Sequence, residues 1–337
     1  MKLLSIIVPC YNSQEYMRHC IDSLLPGGED VEIVIVNDGS SDDTADIAEG
    51  YGKKYPNVIK VIHQKNAGHG GAINTGLQIS TGFFIKVVDS DDWVDTEAYS
   101  KVLDTLKQFP VENHPDVFFS NYVYEKEGKR RKTIVRYGSV LPKDRLFDWS
   151  DVRRFRKGQY LLMHSIIYRR GLLLKCNLRL PQHTFYVDNL YAFLPLQHVR
   201  TMYYLDVDFY RYYIGRADQS VQEQIMIKRI DQQLYVNCQM VSKLNFNAEM
   251  QPQKKAYLLH YIEIVTMVSS VLLLRAGTNE HLQKKKELWQ FIKSADRQLY
   301  NKMRFGFLGQ MMHIPGTVGR SISLSVYKAS KKVVGFN

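Results

Sequence analysis

Cysteine is scarce in this chain. There are four, Cys10, Cys20, Cys176 and Cys238. None forms a CxxC pair, and no histidine cluster supplies zinc spacing. That pattern excludes a disulfide framework and predicts free thiols in a reducing cytosol. Long hydrophobic runs are missing too. The longest apolar stretch, YIEIVTMVSSVLLL at 261–274, contains Glu263 and stops at Arg275. It is too short to span a bilayer and reads as a buried helix. The opening MKLLSIIVPCYN lacks the core length and small-residue cleavage site of a signal peptide, and reads as a first strand. An acidic excess is absent: the formal net charge is +11. That balance suits an anionic partner, whether a phosphate-bearing substrate, nucleic acid or an acidic membrane surface. There is no internal repeat, no low-complexity segment and no nucleic-acid recognition motif.

What is present is an ordinary globular composition, 45% hydrophobic and 23% charged over 337 residues. At about 150 residues per domain, that length predicts roughly two domains. The first part alternates strand and helix signals. Apolar runs at Leu3–Val8, Val31–Val36, Val58–His63 and Phe83–Val88 read as strands. Helical spacing follows Ser13, a plausible N-cap, and spans Thr44–Tyr55. Short, nearly continuous apolar strands separated by helices predict an α/β fold, a mostly parallel sheet with helices on both faces. From about Val221 the pattern turns helical, over 222–244, 254–275 and 280–300. The expected domains are 1–220 and a helical C-terminal domain, 221–337.

In parallel sheets ligands bind beyond the carboxyl ends of the strands. Each polar motif here follows a strand end: Tyr11-Asn12, Asn37-Asp38, Lys65-Asn66, then Asp89 to Asp92. Three carboxylates crowd into four residues of VVDSDDW, and burying them unpaired is costly. A divalent cation is one remedy, since Mg²⁺ and Mn²⁺ take one or two carboxylates and complete their shell with substrate phosphates. Asp89 and Asp91 can face one ion once the strand bends. Asp92 fits an N-cap or first-turn acid of a helix at Trp93. Asp38 stands ready to accept from a nucleobase N–H. The glycines of NAGHGGAINTG, at 68, 70, 71 and 76, allow close backbone approach to a ligand. GxxxxGK[ST] and GxGxxG are both absent, which argues against a P-loop and a dinucleotide fold.

Three segments, SIIVPCYNSQEYMRHCIDSLL, EIVIVNDGSSDDT and NAGHGGAINTGLQISTGFFIKVVDSDDWV, together resemble the inverting family 2 glycosyltransferases with a GT-A (Rossmann-like) fold. The match covers roughly residues 3–95. The resemblance implies a sugar nucleotide donor, most often UDP-linked, and Mn²⁺ or Mg²⁺ on Asp89 and Asp91, the DxD pair. It puts Pro9, Tyr11 and Asn12 around base and ribose, Asp38 on the uracil ring and Lys65 near the nucleotide, with Gly68 and Ser90 beside them. It also implies a carboxylate base about a hundred residues beyond the DxD pair. Asp188 in TFYVDNLYAFLPL matches that position, with Val187 in place of the usual preceding acid. Asp206 and Asp208 compete with it. No QxxRW follows Asp188, so single-sugar addition is expected rather than polymerisation. Arg211 or Arg216 can neutralise phosphate, though solvated arginines are the plainer reading; His164 can line an acceptor pocket or be a satisfied, partly buried histidine. The implied acceptor is a glycan or lipid-linked glycan of surface polysaccharide synthesis. The enzyme would be cytoplasmic; the basic groups Lys129–Lys132, Arg153–Lys157 and the tail Lys328, Lys331 and Lys332 read either as solvated faces or as peripheral contact to the inner membrane. Two alternatives stand beside this: a non-catalytic sugar-nucleotide-binding scaffold, and a nucleotidyltransferase.

Overall fold

The computed structural model of the chain describes residues 2–110, 113–126, 128, 132–215, 219, 222–246 and 250–314. Lys129, Arg130, Arg131, Arg216 and the tail lysines lie outside these residues. The chain forms two compact units, one of residues 1–153 with 161–215, the other of 154–160 with 216–337.

The first unit begins with β1 (Leu4–Cys10), α1 (Met17–Leu24), β2 (Val31–Asn37), α2 (Thr44–Lys54), β3 (Ile59–His63), α3 (Gly68–Ile79) and β4 (Phe84–Val87). β1 runs parallel to β2 from Leu4↔Val31 to Cys10↔Asn37, and parallel to β4 on its other side. Every residue of β1 and β2 is buried, so both faces of the sheet centre are covered. The helix after β1 does not start on Ser13: the residue before α1 is Tyr16, and Ser13 Oγ bonds Ser90 Oγ instead, at 2.8 Å.

Next come β5 (Trp93–Val94), α4 (Thr96–Lys107), β6 (Val117–Lys126), β7 (Thr133–Val135), β8 (Leu146–Phe147), β9 (Ile166–Arg169), α5 (Arg170–Lys175), α6 (Asp188–Leu196) and β10 (Met202–Ile214). The sheet order is β3-β2-β1-β4-β9-β6-β10-β5, with β7 on β6 and β8 on β10. β9 is antiparallel to both β4 and β6, and it carries the sheet from its first parallel half to the β6–β10 pair. No helix starts at Trp93. Trp93 and Val94 pair with Arg211 and Tyr210 as a strand, and α4 begins two residues later under Asp95, whose carboxylate accepts from Ala98 N. Asp92 therefore caps nothing.

At the amino end of the strands, buried Glu32 ties three segments together. It accepts from Ser5 Oγ, Lys60 Nζ, Thr81 Oγ1 and the Thr81 and Gly82 amides. Burial alone pushes its carboxyl up, but these donors outweigh burial and bring it to about 2.

The second unit holds α7 (Glu223–Lys228), α8 (Ile230–Ser242), α9 (Pro252–Ala276), α10 (Asn279–Ala295), α11 (Arg297–Arg304) and α12 (Phe307–Met312). Two of the three expected helices are broken. The first splits at Arg229, and the third at Asp296, whose extended backbone and side chain start α11 by accepting from Gln298 N and Leu299 N. α9 is longer than the apolar run suggested. At 25 residues it has the length and composition to cross a bilayer, yet 78% of its most apolar window is buried within the chain. Its polar residues are partnered by neighbours: Gln233 with Ser269, Asn237 with Thr266, and the Trp289 indole with Ser270. All four cysteines are free thiols.

Candidate active site

The carboxyl ends of β1, β2 and β3 are knitted together by short-range bonds. Asp38 N donates to Cys10 O and Gln64 N to Asn37 O. Asn12, at φ +49, accepts from Ser41 N and donates its own amide to Ser40 Oγ. Pro9 is buried within β1, whereas the neighbouring Tyr11 is 55% exposed. Asp38 is buried, and its two carboxylate oxygens accept from Gln64 Nε2 and the Ala67 and Gly68 amides, so it closes the first turn of α3. Lys65 is exposed beside it.

The Asp cluster hangs from the end of β4. Asp89 Oδ1 receives His69 Nε2 at 2.8 Å, and its Oδ2 lies 3.8 Å from His164 Nε2. Burial pushes the Asp89 carboxyl up; His69, His164 and Lys86 outweigh it, so the group sits below its ordinary value. Asp92 is buried with fewer positive neighbours. It accepts from Tyr210 Oη at 2.6 Å and Tyr213 N at 2.8 Å. Burial and the charges of Asp91 and Asp89 still drive its carboxyl well above the usual range. Tyr210 joins the two ends of this cluster, since its hydroxyl also accepts from Asp89 N. Asp91 is partly exposed between them.

Lys86 and His164 carry more of the site than their sequence context indicates. Lys86 interrupts an apolar strand, is fully buried, and spends its three protons on the carbonyls of Met163, His164 and Ile166. Burial lowers its ammonium to about 7. The lone charge in FFIKVV was the available signal. These bonds hold the turn that carries His164. That ring is not the satisfied histidine expected: its Nδ1 is buried without a partner, and it stacks on Tyr212 at 4.2 Å.

Asp188 opens α6 and is partly exposed. Burial of its carboxyl and the charge of Asp89 raise it above the ordinary value, against the pull of His69. His69 thus interacts with Asp89 and with Asp188, two groups far apart in sequence. The glycines of the third motif explain how the chain brings them together. A Cβ on Gly70 would lie 2.4 Å from Pro181 O, and one on Gly68, at φ +74, 2.9 Å from His183 N. The close neighbour these glycines admit is the 178–183 segment leading to Asp188. Asn74 clamps the same segment, bonding both Leu180 O and Leu180 N, and His183 N donates to Ala67 O.

Other candidates are engaged elsewhere. Arg211 is not a solvated surface arginine: it pairs with Asp95 at 2.7 Å and Glu125 at 3.2 Å. Asp206 and Asp208 do face one side, where both accept from Asn121, and they pair with Lys143 and Arg136 respectively. Neither has a free carboxylate for base chemistry.

The site's charge balance suits a divalent cation. Among the described residues, ligand atoms of Asp89, Asp92 and His164 lie within 4.8 Å of one another; Asp91, expected beside Asp89 on the ion, is not in that group. Hard carboxylate oxygens suit Mg²⁺ and Mn²⁺, and an imidazole is compatible with Mn²⁺. Burial first, and then the charges of Asp91 and Asp89, raise the Asp92 carboxyl, and a cation placed among the three acids would oppose both effects.

An open α/β sheet with acidic and polar groups gathered at its carboxyl edge defines a GT-A type nucleotide-binding fold. Residues 5–172 match the model of glycosyl transferase family 2, and the chain belongs to that family. It is 33% identical over 224 residues to the putative glycosyltransferase EpsH of Bacillus subtilis, covering 63% of this chain and 60% of that protein. It is 28% identical over 228 residues to the uncharacterized glycosyltransferase YibD of Escherichia coli, covering 64% and 63%. The chain thus spans less than two thirds of these relatives, with 60% and 63% of their lengths matched. Among solved structures, residues 1–349 of S. aureus TarS in complex with UDP-GlcNAc share the fold, with a TM-score of 0.70 at 20% identity over 99% of this chain and 92% of that one. A mannosyltransferase from Pyrobaculum calidifontis in complex with GDP-Man and Mn²⁺ aligns at a TM-score of 0.53 and 14% identity, over 96% and 87%.

Proposed function

We propose that this protein is an inverting glycosyltransferase that moves a single sugar from a UDP-linked donor to a hydroxyl of a glycan or lipid-linked glycan, on the cytoplasmic side of the cell. The observation that carries this reading is His69, which bonds Asp89 and whose charge is favoured by Asp188, so that the Asp89 cluster and Asp188 share one electrostatic environment. The UDP-GlcNAc complex of TarS supports the nucleotide, and relatives named poly(ribitol-phosphate) beta-glucosyltransferase and chondroitin synthase support a polysaccharide setting.

Pro9, Tyr11, Asn12, Asp38, Lys65 and Gly68 would line the nucleotide. Exposed Tyr11 offers a ring face to the base, and Asp38 would hold its loop while accepting from the uracil N–H. Asp89 and Asp91, with Ser90 bonded to Ser13 between them, would hold Mn²⁺ or Mg²⁺ against the diphosphate. Such an ion offsets the charge that develops on the leaving group. Asp188 would take the acceptor hydroxyl's proton on its carboxylate. The freed oxygen then bonds to the anomeric carbon as the bond to the diphosphate breaks, inverting configuration. Its raised basicity favours that proton transfer.

Titration calorimetry with UDP, GDP and dTDP, each with and without Mn²⁺, tests the donor half. Metal-dependent binding of UDP is expected, and Asp91→Ala should abolish it. Asp188→Asn should bind donor as the wild type does and lose transfer by about 10²–10⁴-fold. Transfer at the wild-type rate in Asp188→Asn would put the base elsewhere. Donor binding without turnover on any acceptor would favour the scaffold reading.

A further inference from the structure

Within the helical unit, we infer that the α11–α12 corner, with the 154–157 strip, is a docking surface for an anionic lipid bilayer. Among the described residues, Phe305 and Phe307 are the most exposed of the large hydrophobic side chains, at 64% and 66%, and Ile314 is exposed close behind them. Singly exposed apolar residues are common, but two phenylalanines flanking one glycine at a corner form a local patch.

The patch is held out on a fixed platform. α11 buries Leu299 and Met303, and α12 buries Gly309, Met311 and Met312. Lys285 Nζ donates to Met312 O at 2.6 Å, and Trp289 packs edge-on against His313 at 4.4 Å. Gly309 lies so close to Met303 O that a Cβ would fall 1.9 Å from it. The phenylalanines are therefore presented by anchored helices.

Cations accompany the patch. Lys157 Nζ lies 4.8 Å from the Phe307 ring centre, and the Arg304 guanidinium 5.6 Å from that of Phe305. Arg154, Arg156 and Lys302 are exposed in the same unit. Phe155 anchors the basic strip by packing on Tyr257 at 4.6 Å, and Gln159 O accepts from His260 at 2.9 Å. Glu263 sits against Gly306 and is half-buried. Beyond Asp296 the sequence has no further Asp or Glu, while Arg297, Lys302, Arg304, Arg320, Lys328, Lys331 and Lys332 follow. Apolar rings among like-signed cations suit the interfacial region of a bilayer, where rings enter the headgroup boundary and cations meet anionic headgroups. A protein partner of matching shape or a second copy would need acids opposite these cations; an anionic bilayer supplies negative charge everywhere.

This inference stands apart from the transfer chemistry, because it is read without donor or acceptor. The full chain should co-sediment with vesicles of phosphatidylglycerol and phosphatidylcholine in equal parts, and not with phosphatidylcholine alone. Phe305→Ser/Phe307→Ser should weaken that binding about tenfold or more. Lys157→Glu/Lys302→Glu should weaken it as well and reduce its salt dependence. These side chains are exposed, so thermal midpoints should stay at the wild-type value, confirming folded variants. Absence of wild-type binding to the anionic vesicles would overturn the inference. So would unimpaired binding by the double Phe variant, which would leave charge alone responsible. Concentration-dependent self-association, measured by sedimentation velocity and lost in the Phe variant, would instead identify a second copy as the occupant.

Discussion

Glu32 and Asp92 are both buried carboxylates, and their surroundings push them in opposite directions. Glu32 has Lys60 and four hydroxyl or amide donor groups around it; Asp92 has two donors and two like charges nearby. The difference separates an acid held ionised by its donors from one that burial and like charges hold protonated. Because the folded-state value of Glu32 is depressed, its contribution to stability is fully present above the unfolded value, near 4.5. It is lost as pH falls from there toward about 2. Discounted for the partly exposed Lys60, it is worth on the order of 2 kcal/mol. Glu32→Gln should therefore lower the urea midpoint at pH 7 and flatten the acid limb between pH 5 and pH 2. Parallel acid limbs in wild type and variant would show that other carboxylates govern the acid transition. The sequence did not mark Glu32, since one acid in VEIVIVN looks like an edge or solvent-facing residue. Its partners, Ser5, Lys60 and Thr81, lie in other segments.

At the scale of elements, what could be read from the sequence was whatever is contiguous. Each strand of the first half is followed directly by its polar motif, so strand ends and candidate site residues were legible together. Elements that depend on distant pairing were not. The 166–169 run is only a strand because β4 and β6 flank it, and Trp93 is in a strand because Arg211 lies across from it. The same limit hid the role of the glycines in the third motif, which admit a segment more than a hundred residues away. That segment is a lever on the chemistry. Asn74→Ala removes both clamps on Leu180 and should cost about 1–3 kcal/mol of local stability. It carries Asp188 but none of the proposed nucleotide contacts. The expected outcome is a kcat lowered several-fold or more with donor Kd unchanged. Equal losses in both would mean that the segment also shapes the donor pocket.

For the whole molecule, the +11 charge and the apolar α9 both raise the question of a membrane, and they give different answers. Composition cannot tell a core helix from a spanning one, because both are apolar all round. The polar residues inside the helix can. In α9, Thr266, Ser269 and Ser270 are buried, and each bonds a side chain from another helix of its own unit. Those bonds make the helix a core element of that unit, with its apolar sides used in packing. Ser270→Ala tests this directly. It would leave the buried Trp289 indole N–H without its acceptor, a cost of about 1–3 kcal/mol. In buffer without detergent or lipid, the thermal midpoint should fall by a few degrees, about 2–4 °C per kcal/mol in a domain of 150–250 residues. A midpoint that moved only when lipid or detergent was added would assign α9 to the bilayer instead. Membrane contact, on the view argued above, belongs to the exposed phenylalanines and cations of the α11–α12 corner. A drop with Ser270→Ala in buffer, with vesicle binding intact, would separate the helix that holds the unit together from the surface that meets the lipid.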